Sequence, residues 1–248
     1  MPILDFRIAT TSSKSYFKKN GIQLFSSAGK FIENSIILYS EDFIDSGLHN
    51  VIGKSFQNRA KVLEFIDEFR EKYESKLKFM HYAQRMDIWI FKIAAIAQYL
   101  NDFKDGDLLF LDSDCVFISK EAPAVISKFL EPARQYDLGI FRRHDTFLHP
   151  ETGFLFVKNH ERNRTQFNIL LEDILCWRFT DLPSWTDDSL IDKAIIRGEF
   201  NALDFCQFYK LKSQNPAYES ELQKVLLHLK GKRKGRYSRI KHCMGRYK

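Results

Sequence analysis

Asp112-Ser113-Asp114 closes the apolar run Leu108-Leu109-Phe110-Leu111, so two carboxylates stand one residue apart. Like charges this close repel, and a cation between them removes the cost. A hard divalent ion, Mn²⁺ or Mg²⁺, prefers oxygen ligands and bridges carboxylates to phosphate oxygens. The plain alternative is a solvated acidic turn after a buried strand, and the strand context favours the metal. Two cations, Arg85 and Lys92, lie seven residues apart in a segment that is apolar nearly all round. On a helix they share one face, two turns apart. Buried cations are costly without anions, and a diphosphate would satisfy them. Alternatively Arg85 pairs with Asp87 and Lys92 snorkels outward. A second acidic pair, Asp187-Asp188, follows Trp185-Thr186. Thr and Asp suit a helix N-cap, and acids in a first turn complement the helix dipole.

A hydrophobic strand ending in DxD, preceded by a helix bearing cations, resembles the GT-A glycosyltransferases. The final residues His242-Cys243-Met244-Gly245-Arg246-Tyr247-Lys248 spell HxxGxxK. That pattern is similar to the carboxy-terminal motif of the retaining GT-A enzymes of glycosyltransferase family 8. The resemblance implies a metal held by Asp112, Asp114 and His242, with Lys248 and Arg85 on the donor diphosphate. Lys92 and Ser113 join the donor-binding set, and residues 230–248 complete the donor site.

The stretch from His149 to Val157 resembles the glycine loop of such enzymes, which puts Gly153 beside donor sugar and acceptor. Pro and Gly would equally make an ordinary turn into a strand. Thr10, after the first strand, borders the nucleotide base by the same likeness. Asp187 and Asp188 look like the acidic motif written xED, where either contacts sugar hydroxyls or takes the acceptor's proton. HxxGxxK suggests retention and an xED base would serve inversion; both stay open. The implied activity is metal-dependent transfer from a nucleotide sugar, expected to be UDP-linked, in polysaccharide biosynthesis. The acceptor is a glycan, free or linked to lipid or protein.

Two rival readings use the same residues. Leu109 to Val116 also fits the hydrophobic-DxDx[TV] pattern of haloacid dehalogenase-like phosphatases, with Asp112 as nucleophile and Mg²⁺ as cofactor. Against it, that motif normally opens its domain, and Leu182-Pro183-Ser184-Trp185-Thr186 is no apolar strand before the second acidic pair. A basic module binding nucleic acid or anionic lipid would use Lys230-Gly231-Lys232-Arg233-Lys234-Gly235-Arg236. No nucleic-acid-binding motif accompanies that run, so nucleic acid is not the expected partner. A peripheral membrane contact through the basic tail is compatible with the enzyme.

The elements that must carry these residues read as an α/β order. Strands are expected at Phe6 to Thr10, Ser35 to Tyr39, Asp107 to Asp112, Val116 to Ile118, Leu138 to Phe141 and Phe154 to Val157. Helices are expected near Arg59 to Tyr73, Ala83 to Leu100, Glu161 to Trp177 and Asp187 to Arg197. The pattern implies a mostly parallel central sheet flanked by helices, a Rossmann-like GT-A domain over residues 1–248. Ligands of such sheets gather at the carboxyl ends of strands. With 44% apolar residues, 15% aromatic and a net charge of +6, the 248-residue chain reads as a folded globule suited to an anionic partner. Charges within the first residues argue against a signal peptide, and the expected location is cytoplasmic. Scattered cysteines without CxxC argue against a zinc site.

Overall fold

The computed structural model describes residues 6–13, 22–32, 35–40, 51–142, 150–211 and 220–228. Seven of its strands form one sheet: β1 (Phe6–Thr11), β2 (Ile36–Ser40), β3 (Val51–Ser55), β4 (Asp107–Leu111), β6 (Leu138–Arg142), β7 (Pro150–Val157) and β8 (Ala202–Asp204). Their order is β3-β2-β1-β4-β7-β6-β8. Four neighbouring pairs are parallel, and β7 runs antiparallel to both of its neighbours. The mostly parallel sheet flanked by helices is therefore observed. A separate two-stranded ribbon joins β5 (Cys115–Phe117) to β9 (Leu226–His228).

Strand β4 shows why its sequence is a continuous apolar run. Leu108 and Phe110 enter one core, and Leu109 and Leu111 enter another on the opposite face. A strand buried on both sides needs apolar residues at every position, not alternate ones. The first core is covered by α2 (Arg59–Lys72), α3 (Met86–Asp102), α5 (Glu161–Leu175) and α6 (Asp187–Ile196). The second is covered by α1 (Ile22–Phe31), α4 (Ala122–Leu130) and the β5–β9 ribbon.

Helix α3 is the central spacer. Ile90, Ile93, Ala95, Tyr99 and Leu100 are each fully buried. Burying a large apolar side chain contributes about 1.5–3 kcal/mol, so this helix is anchored mainly by its packing. Arg164 of α5 donates to the Leu100 carbonyl at 2.7 Å, closing the two helices together. Residue Ala83, expected in this helix, lies instead in a 3₁₀ turn from Tyr82 to Gln84.

Helices α1 and α4 and strands β3, β8 and β9 are additional to the elements expected from the sequence. Strand β3 is an edge strand with no buried residue, so it lacks the apolar signature. Among the described residues no helix is long and apolar enough to cross a membrane.

Candidate active site

The site is assembled where β4 ends. Side chains alternate along a strand, so Asp112 continues the direction of Leu108 and Phe110 towards α3. There it meets Lys92, whose Nζ lies 2.9 Å from Asp112 Oδ1. The same ammonium lies 3.1 Å from Asp187 Oδ2 at the start of α6. Lys92 also donates to Thr152 Oγ1 at 3.0 Å, and Thr152 Oγ1 donates to Asp187 Oδ2 at 2.6 Å. Three elements thus converge on one buried ammonium.

The turn after β4 sets the second carboxylate. The Cys115 amide donates to the Asp112 carbonyl at 3.0 Å, and the Asp112 amide to the Gly153 carbonyl at 3.0 Å. This turn buries Ser113 and Asp114 and leads into β5. Cys115 is paired directly with His228 in the ribbon. His228 Nε2 lies 3.0 Å from Asp114 Oδ1 and 3.6 Å from Asp112 Oδ2. Ligand atoms of Asp114, Cys115 and His228 all lie within 4.8 Å of one another.

Gly153 makes this approach possible. A Cβ there would stand 2.5 Å from His228 Cε1 and 2.8 Å from Asp112 Oδ2. Only a residue without a side chain lets β7 pass so close to both groups. A break in strand pairing brings the neighbouring residues in. Gly139 pairs with Phe156 while Phe141 pairs with Glu151, so two steps along β6 match five along β7. Such bulges bend a strand and re-aim its side chains. Here Thr152 turns towards Lys92.

The charges shift one another in the sense this geometry requires. Desolvation alone would raise the Asp112 carboxyl, but Lys92 and His228 hold it well below the usual carboxylate range. Desolvation likewise opposes the charge on Lys92, yet Asp112 and Asp187 together raise its pKa. For Asp187 desolvation dominates, and its carboxyl lies above the ordinary value despite Lys92.

The predicted site residues fall into three groups. Asp112, Ser113, Asp114, Lys92, Gly153 and Asp187 are brought together. Asp188 lies at the same helix start, half-buried, and accepts from the Ser189 amide at 2.8 Å and from the Thr186 hydroxyl. Asp187 is only 1% exposed, so it faces Lys92 and Thr152, not solvent.

Two predicted residues make no polar contact with this cluster among the described residues. Arg85 precedes α3 and does not share the Lys92 environment: its Nε and Nη2 reach the two Asp87 oxygens at 2.7 and 2.8 Å. A bidentate partner two residues away satisfies the guanidinium locally. Thr10 lies near the carboxyl end of β1, next to β4 and wholly buried, and its hydroxyl has no hydrogen-bond partner among the described residues. His242 and Lys248, with the basic run from residue 230, lie outside the described residues.

Sequence reasoning passed over His228 and Thr152. A signal for the histidine exists: His228, Gly231 and Lys234 repeat the HxxGxxK spacing fourteen residues before His242. The copy at the end of the chain obscured it. Nothing local marks Thr152, because its importance comes from the bulge.

No protein-family model matches the sequence, and no curated protein matches it either. Solved structures do match in three dimensions. The galactosyltransferase LgtC, in complex with donor and acceptor sugar analogs, aligns with 91% of this chain and 87% of its own, at TM-score 0.52 and 12% identity. The glycosyltransferase GlyE of Streptococcus pneumoniae TIGR4 aligns with 91% of this chain and 55% of its own, at TM-score 0.51 and 12% identity. The sheet order, the antiparallel β7 and these likenesses show that the chain has the fold of the GT-A glycosyltransferases.

Proposed function

We propose that the chain is a metal-dependent glycosyltransferase that takes a nucleotide-sugar donor. The observation that carries this reading is the convergence of Asp112, Asp114 and His228 at the carboxyl end of β4, with Lys92 behind them. On this reading His228, not His242, is the histidine of the metal site, and Lys234 takes the role first given to Lys248.

The donor set fits a hard divalent ion. Two carboxylates and an imidazole offer oxygen and nitrogen ligands, and Asp112 is held ionised by its surroundings. The bare Cα of Gly153 leaves the space beside Asp112 and His228 clear. Bound there, Mn²⁺ or Mg²⁺ supplies charge to stabilise a departing nucleoside diphosphate. Lys92 adds a fixed positive charge that is already in place, so no reorganisation is needed when negative charge develops. Asp187 keeps that ammonium in position. Asp188, oriented by Thr186 and Ser189 and less buried than Asp187, is the acid available to the sugar or acceptor.

UDP is the expected nucleotide, and a glycan, free or linked to lipid or protein, the expected acceptor. A peripheral membrane contact through residues 230–248 belongs to the same proposal. The phosphatase reading gains no support, since the matched structures are glycosyltransferases over most of this chain.

Calorimetry of UDP and GDP binding with Mn²⁺ tests the reading directly. Binding is expected to require the metal and to weaken about 100-fold or more in Asp114→Ala and His228→Ala. His242→Ala is expected to bind like the parent. Neither nucleotide binding in the presence of Mn²⁺ would overturn the assignment, and loss in His242→Ala but not His228→Ala would reverse the choice of histidine.

A further inference from the structure

The hydroxyl of Thr152 occupies a position that the proposed chemistry has not yet used. It lies between a buried cation and a buried acid, with Thr152 itself only 5% exposed. An ammonium has three protons to place and no lone pair. Those of Lys92 face Asp112 Oδ1 at 2.9 Å, Asp187 Oδ2 at 3.1 Å and Thr152, through Oγ1 at 3.0 Å and the carbonyl at 3.3 Å. Because Oγ1 accepts from Lys92, its own proton is free to go to Asp187 Oδ2, 2.6 Å away. The hydroxyl has a defined direction, and it closes a triangle of Lys92, Thr152 and Asp187.

We propose that Thr152 is a positioning residue: its hydroxyl locks Lys92 and Asp187 into one arrangement and so holds the ammonium against Asp112. The role in turnover rests on the glycosyltransferase reading given above. The geometric role does not.

Its necessity follows from the distances. Lys has four side-chain torsions and loses much rotamer freedom when buried. With only the two carboxylates and the Thr152 carbonyl, 3.3 Å away, as partners, the ammonium can shift among them. The Thr152 hydroxyl, at 3.0 Å the nearer of the two acceptors on β7, fixes it in the remaining direction. The bulge that brings Thr152 there also places Gly153 against Asp112 and His228. One irregularity in β7 therefore sets the ammonium on one side of Asp112 and the imidazole on the other.

The test compares Thr152→Val, which keeps the shape and removes the hydroxyl, with Thr152→Ser, which keeps the hydroxyl. Thr152→Ala repeats the loss should the valine variant fail to fold. The first readout needs no activity: the ¹H–¹⁵Nζ resonance of a buried, hydrogen-bonded lysine, assigned by its disappearance in Lys92→Arg. It is expected in the parent and in Thr152→Ser, and broadened or shifted in Thr152→Val and Thr152→Ala. An unchanged resonance in the variants without the hydroxyl overturns the proposal.

The second readout is kinetic. In Thr152→Val, kcat is expected to fall about tenfold or more while the donor KM stays within about twofold. Thr152→Ser should recover to within about threefold of the parent. Equal losses in the serine and valine variants would show that the hydroxyl is not the cause. If the parent neither binds nor transfers from any nucleotide sugar, the functional reading fails, and the resonance still decides whether Thr152 holds Lys92.

Discussion

Helix α3 carries two buried charge centres at different levels, and they are built on opposite terms. At its start Asp87, fully buried, is matched by two guanidinium groups: Arg85 at 2.7 Å and Arg70 at 3.2 Å. One and a half turns later Lys92 is a single ammonium shared by Asp112 and Asp187. At the first centre cations outnumber acids, and both arginines reach towards solvent. At the second, acids outnumber the ammonium and an imidazole stands close by. A satisfied ion pair of the first type joins α2 to α3 and contributes to folding. On the proposed function, a cluster of the second type has a use for an added cation. Buried groups with perturbed proton affinities at the carboxyl end of a sheet are candidates for a functional site, and the stoichiometry is the feature by which the proposed function separates the second centre from the first.

Two glycines offer the sharpest way to break that distinction. Gly153→Ala places a methyl 2.5 Å from His228 Cε1 and 2.8 Å from Asp112 Oδ2, within the acid-rich cluster. Metal-dependent nucleotide binding is expected to fall about 10–100-fold with little loss of stability, as titration calorimetry beside urea unfolding would show. Gly139→Ala places its methyl 2.5 Å from Phe205 Cζ and 2.9 Å from Ala133 Cβ, inside a purely apolar region. That overpacking is expected to cost about 1–3 kcal/mol of stability and leave nucleotide affinity unchanged. If the two substitutions instead had the same effect on both quantities, site and scaffold would not be separable in this way.

Asp87→Asn tests the first charge centre. Of the arginines that lose their partner, Arg70 is half-exposed and Arg85 about a quarter exposed, so both can turn to water. The expected cost is therefore about 1–3 kcal/mol, less than for stranding a buried ion. Nucleotide binding should stay as in the parent. A loss of binding without a loss of stability would return Arg85 to the donor site, where its spacing from Lys92 first suggested it.

The smallest effect is in the pH profile. Desolvation pushes the Asp87 carboxyl upward, but Arg85 and Arg70 outweigh it and hold the group below its usual value. A group whose pKa is lowered by folding stabilises the protein above its unfolded pKa, about 3.9. That contribution is lost as pH falls below this value towards the folded one. Urea midpoints of the parent are therefore expected to drop between about pH 4.5 and 3 more steeply than those of Asp87→Asn. Parallel curves would show that Asp87 is not the group responsible.

Much of the scaffold was legible in the chain because its strongest elements are local. Strand β4 announces itself through four consecutive apolar residues, and α3 through a segment apolar on every side. Both are consequences of burial on all faces, which leaves a mark on every residue. Strands β8 and β9 have three residues each, too few to show a period, and exist through their partners β6 and β5. Helix α1, with its serines Ser26 and Ser27, has no acidic residue in its first turn. Ser27 earns its place by accepting from the Phe117 amide at 3.0 Å, ninety residues away.

The candidate site divides along the same line. Asp112 and Asp114 could be named from the chain alone, since a strand and the turn after it are neighbours in sequence. The acidic pair at the start of α6 was visible for the same reason, as capping chemistry is local. Which histidine joins them was not, because His228 and His242 head the same HxxGxxK spacing. The pairing of β9 with β5 brings His228 to the aspartates, and that contact spans more than a hundred residues. The pairing of Arg85 with Asp87, two residues away, was by contrast one of the two readings the chain itself offered, and the fold decided only between them. Spacing specifies what a segment offers, whereas long-range packing, by excluding water and choosing partners, decides which offers are taken up.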